Sequence, residues 1–161
     1  EMERGLVGSE MCIRDSLNSI LWDKNISKKT KLMIYRVIIQ SVVLYGAEIW
    51  QLSEQMRTKL RVMEMDFLRR SAGISRREKI RNERIKEIMG LKQDVLHEIE
   101  RKQLLWFRHV QRMQSNRLPK KLLDWQPQER RKRGRPRPGW RDNVEKTLAG
   151  WQIPPGTWNG R

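Results

Sequence analysis

Four stretches of this chain place apolar residues at three- and four-residue steps, and each opens or closes on a residue type that starts or stops a helix. That period constrains the fold more than any other feature. The first stretch, KKTKLMIYRVIIQSVVLYGAEIW, follows Ser27, a candidate N-cap, and carries Leu32, Tyr35, Ile38, Ile39, Val42 and Tyr45 on one face. Its β-branched VIIQSVV admits a strand, but length and the lack of strict alternation favour a helix. Tyr45, Gly46 and Trp50 are assigned to the core, with Gly46 permitting close helix approach. The second stretch follows Ser53, repeats Met56, Leu60, Met63 and Phe67, and stops near Gly73; its methionines read as packing. After it, GISRREKIRNERIKEIMG reads as a basic turn feeding a short helix that ends at Gly90. Asp94 then caps VLHEIERKQLLWFRHVQRM, with Val95, Ile99, Trp106, Val110 and Met113 on one face. Pro119 opens a short turn of helix, PKKLLDW. A last stripe, Trp140, Val144, Leu148 and at its edge Trp151, is stopped by Gly150 and the Pro154-Pro155 pair. The expectation is an all-α chain: a small helical bundle of about four to five helices, a basic Pro/Gly-containing linker and a short C-terminal helix.

Charge narrows the partners. Across 161 residues, 35 Lys and Arg face 19 Asp and Glu, a formal charge of +16 that most often answers a polyanion such as nucleic acid. Seven tryptophans and 37% hydrophobic residues place that charge on a folded scaffold rather than a disordered tail. Cys12 has no second cysteine to pair with, and His97 and His109 are too far apart to complete a zinc site with it, so no structural metal is expected. His109, three residues after Trp106, reads as a packing histidine rather than a general base. The most apolar run is interrupted by Arg36, Gln40, Ser41 and Glu48 and falls short of the roughly 20 apolar residues of a membrane span, so no membrane partner is expected. No signal-peptide core opens the sequence, which leads to an intracellular expectation.

The first residues do not match the rest. EMERGLVGSEMCIRDS has neither helical nor strand period and is acidic in a basic chain. Leu6 through Ser16 resemble, codon by codon, the translation of a transposase-loaded sequencing adapter. Residues 1–16 are therefore read as a non-native, disordered leader excluded from fold reasoning. Without its four acids and two bases the remainder holds 33 cations against 15 anions, or +18.

Taken in order, LMIYRVIIQSVVLYGAEIW, SRREKIRNERIKEIMGL, LLWFRHVQRM, RLPKKLLDW and RRKRGRP resemble the C-terminal region of non-LTR retrotransposon reverse transcriptases, whose polyprotein joins an endonuclease to an RNA-directed DNA polymerase. The likeness spans about Leu17 to Trp151, with one departure at Arg108, where the family usually carries Gly. It implies a thumb-like helical region over 17–52, a helical C-terminal region over 53–125, a basic linker over 126–139, and a short helix and tail over 140–161. It also implies what is missing: polymerase chemistry uses paired aspartates in the palm to hold two Mg²⁺ ions, and no Asp-Asp pair occurs in this sequence. Nor is there the spread of His, Asp and Asn that an endonuclease half requires. The chain is expected to bind without catalysing and to need no cofactor itself. The implied partners are RNA, DNA or an RNA–DNA hybrid and the fingers and palm of the parent polyprotein, in the nucleus, with room for a cytoplasmic ribonucleoprotein stage.

Thumb helices pack an apolar face inward and lay cations along phosphates, which gives affinity with little sequence preference. The candidates are Lys28, Lys29, Lys31 and Arg36 on the first helix and Arg76, Arg77, Lys79 and Arg81 in the basic turn. In the linker, Arg130, Arg131, Lys132, Arg133, Arg135 and Arg137 form a third strip. Arg133, Gly134, Arg135 and Pro136 also spell the core of an AT-hook, in which two arginines enter a narrow A·T minor groove, so a stand-alone nuclear DNA-binding module is the alternative. Non-specific phosphate binding is favoured, and RRKRGRPR is compatible with a nuclear address in either case.

Overall fold

Where the longer helices begin and end is set largely by local chemistry. The computed structural model describes residues 16–125 and 139–154; the leader up to residue 15, the run 126–138 with its strip of cations and AT-hook-like core, and residues 155–161 lie outside the described residues. Every regular element among the described residues is helical, and the protein is all-α. The order is α1 (Asn18–Trp22), α2 (Lys28–Ile34), a π-helical stretch (Tyr35–Gln40) continuing into α3 (Ser41–Val43), a 3₁₀ turn (Ala47–Ile49), α4 (Glu54–Ala72), a second 3₁₀ turn (Arg76–Glu78), α5 (Asn82–Met89), α6 (Val95–Gln111), α7 (Leu118–Asp124) and α8 (Trp140–Gly150). Ser27 Oγ accepts from Thr30 N at 3.2 Å, Ser53 Oγ from Met56 N at 3.2 Å and Asp94 Oδ1 from His97 N at 3.0 Å, so all three expected caps form. Gly73 and Gly90, at φ 68° and 71°, end α4 and α5 in the left-handed conformation.

The first apolar stretch departs from expectation. Gly46 adopts φ 63°, and a Cβ there would meet open space, so this glycine serves its backbone turn and not a close helix approach. The helix ends before it, and Tyr45, expected in the core, is 84% exposed. Upstream, the buried positions are Lys31, Tyr35, Ile39 and Val43, a strict four-residue step. In an α-helix such a row drifts about 40° per step because a turn holds 3.6 residues. The π-helical stretch bonds i to i+5, takes more residues per turn, and so brings the row back onto one line. This is why Val43 rather than Val42 is fully buried and Ile38 is exposed.

The chain divides into two compact units: residues up to Tyr45 with Ser53–Glu98, and Gly46–Leu52 with Ile99 onward. In the first, α1, α2 and α5 pack on α4. Leu21, Tyr35, Ile39, Val43, Leu60, Phe67, Leu68, Ile85, Met89 and Val95 form the core, with the Tyr35 and Phe67 rings 5.0 Å apart. In the second, Phe107, Val110 and Val144 are buried. There Gln103 Nε2 donates to Ala47 O (3.3 Å) and Trp50 O (2.8 Å), and Trp140 Nε1 to Glu48 O (3.0 Å), which pins the short 46–52 segment through its own carbonyls.

Candidate nucleic-acid interface

The described candidate cations all belong to the first unit, and their surroundings separate them into three kinds. Lys31 is the correction. Only 4% exposed, its Nζ donates to Leu21 O at 2.7 Å and Ser71 O at 3.2 Å. Those carbonyls end α1 and α4, so the ammonium caps two helix C-termini, where the helix dipole favours a cation. A lysine so placed cannot reach a phosphate, and its role is architectural.

Arg76 is the second kind. Its Nη2 lies 3.0 Å from Asp66 Oδ1, and Arg70 Nε forms an ion pair with Asp66 Oδ2 at 3.1 Å, so the Arg76 charge is partly answered within the fold. That pair helps hold the turn. Ser75 and Glu78 close a capping box, with Ser75 N donating to Glu78 Oε1 at 2.7 Å, and Arg69 Nη2 donates to Ile80 O (2.7 Å) and Asn82 Oδ1 (3.0 Å). Lys79 itself takes a left-handed φ of 52°.

The third kind is exposed and makes no ion pair among the described residues: Lys28 and Lys29 on the first turn of α2, Arg36 in the π-helical stretch, and Arg77, Lys79 and Arg81 on the pinned turn. Arg36 also lines a groove of about 520 Å³ with Gln40, Ser41 and Leu44 and with Leu91, Lys92, Gln93 and Glu98. Lys92 was not singled out from sequence. It lies in the short GLKQD loop, and only the fold brings it to the same groove as Arg36.

Two acids in this unit titrate abnormally. Glu64 is buried, and desolvation pushes its carboxyl above the ordinary value although Oε1 accepts from Tyr35 Oη (2.7 Å) and Val95 N (2.9 Å). For Asp94, burial raises the pKa, but the His97 N–H and the Lys86 ammonium at 3.3 Å outweigh it and hold the carboxyl below its usual range. Among the described residues no cluster of three or more His, Cys, Asp or Glu could hold a metal ion. His109 stacks on Trp106 at 5.5 Å and is exposed. No described helix is long and apolar enough to cross a membrane. No family model, curated protein or solved structure matches the chain.

Proposed function

We propose that the chain is a non-catalytic, nucleic-acid-gripping C-terminal segment of a non-LTR retrotransposon reverse transcriptase, comprising thumb and distal region, that holds the backbone of RNA, DNA or their hybrid in the nucleus. Mg²⁺ and the polymerase chemistry belong to the parent's palm. One observation carries the reading: within one unit, six candidate cations stand exposed with no counter-ion among the described residues, while the two with partners are structural or semi-structural. Cations left unmatched by the fold neutralise phosphates at little desolvation cost and release counter-ions when they do. The order of sequence segments supplies the family.

The test is equilibrium binding of fluorescent RNA, DNA and hybrid oligonucleotides across a salt series. Replacing Arg77, Lys79 and Arg81 with Gln is expected to weaken all three and to flatten the salt slope by roughly 0.7 to 0.9 log units per lost contact. Absence of salt-dependent binding in the unaltered chain sinks the reading. The stand-alone DNA-binding alternative rests on the RGRP sequence and is separated by Arg135→Ala: a uniform loss supports backbone binding, and a loss confined to A·T duplex supports a minor-groove hook.

A further inference from the structure

Helix α7 is apolar on two sides. Pro119 and Leu123 are half-buried, while Leu118, Leu122 and Trp125, at steps of four and three residues, stand 68%, 62% and 65% exposed. Such a stripe gains its own unit nothing by facing water, and apolar residues at this spacing are what a helix-binding surface presents. Leu118 and Leu122 also line an open groove of about 540 Å³, together with Ile49, Trp106, Val110 and Trp140, all within the second unit. Beside the leucines runs a row of charge: Arg117 immediately precedes Leu118 and Lys121 immediately precedes Leu122, and neither has an ion-pair partner among the described residues. Lys120, by contrast, is engaged by Gln111 and Asp124.

We propose that this groove receives an amphipathic α-helix of a partner protein, one whose apolar stripe is flanked by a row of Asp or Glu. The apolar lining, aliphatic side chains with two tryptophans, suits leucine-like side chains, and the cation at its edge, Arg141, is already engaged by Asp124 and Glu145, which leaves little for a phosphate. A second copy is disfavoured by charge, since two chains of +16 repel and α7 itself offers a single acid, Asp124. An acidic partner answers both the cation row and the net charge. This inference does not rest on the nucleic-acid reading, because the surface belongs to the other unit and its chemistry is apolar.

The experiment titrates the full chain with a synthetic peptide of about 18 residues, long enough to form helix, carrying Leu at three- and four-residue steps and Glu elsewhere. Binding is followed by calorimetry and by tryptophan fluorescence, since Trp106 and Trp140 line the groove. One-to-one saturable binding is expected, at least about tenfold tighter than for a scrambled peptide of identical composition. Leu122→Glu, with Leu118→Gln as a milder second variant, is expected to weaken it about tenfold or more while leaving circular dichroism and nucleic-acid affinity unchanged. Arg117→Gln with Lys121→Gln should weaken it about threefold to tenfold and remove most of its salt dependence. Equal binding of both peptides, indifference to the leucine variants, or a wild-type dimer that Leu122→Glu abolishes while the peptide fails to bind would each overturn the proposal.

Discussion

The two units solve the same problem, ending short helices in a small core, by different means. The first buries charge: Lys31 ties the ends of α1 and α4, and Glu64 joins the Tyr35 hydroxyl to the first N–H of α6. The second uses neutral donors, Gln103 and Trp140, aimed at carbonyls of the 46–52 segment. Buried charge binds more strongly once in place but is costly to leave unpartnered. Neutral donors are weaker and more forgiving. The first unit also carries the larger set of candidate cations unmatched among the described residues, and that exterior is the proposed grip.

The largest effect expected from breaking this contrast is at Lys31. Lys31→Met keeps most of the stem but leaves two buried helix-end carbonyls without their donor, an expected loss of about 2–4 kcal/mol in denaturant unfolding. A neutral result would mean the ammonium's desolvation cancels what its two bonds contribute. Gln103→Met, the matched change in the second unit, is expected to cost about 1–2 kcal/mol. If Gln103→Met cost more than Lys31→Met, the contrast between the units would be reversed. Gly46→Ala, at the turn where the chain passes to the second unit, should cost about 1 kcal/mol because the left-handed backbone penalises a Cβ even in open space.

The smallest effect concerns the pH profile. Because burial raises the Glu64 carboxyl, the unfolded chain releases that proton first as pH rises. The contribution of this group is therefore full below the ordinary carboxylate value and is lost as pH climbs through the raised one. Asp94 has the opposite sign, contributing above the ordinary value and losing that contribution as pH falls through its lowered one. Subtracting the profile of Glu64→Gln from that of the unaltered protein isolates the first term, and the difference should decline with rising pH across that window. A flat or rising difference contradicts the assignment.

The helical elements were largely legible because their signals are local. Ser27, Ser53 and Asp94 act on the N–H three residues on, and Gly73 and Gly90 act through their own φ, so neighbours in sequence suffice. The first helix was misread at its end for an equally specific reason. A single 3.6-residue period cannot describe a segment that changes pitch: it puts Val42 and Tyr45 on the buried face, where the structure buries Val43. The candidate site was less legible. Lys28, Lys29 and Lys31 are equivalent as a charge run, yet one of them is buried.

The sequence by itself determined an all-helical, strongly basic protein in which α2, α4 and α6 start at polar caps and α4 and α5 stop at glycines, because propensity, capping and net charge are properties of residues and their near neighbours. Tertiary structure alone decided which lysine becomes a cap for two helix ends, that Lys92 shares a groove with Arg36, and that α7 keeps an apolar stripe outside. Each of those depends on a partner far along the chain, Ser71 forty residues from Lys31 and Ile49 on the other side of the α7 groove, and no local pattern records which distant carbonyl or side chain packing will bring near.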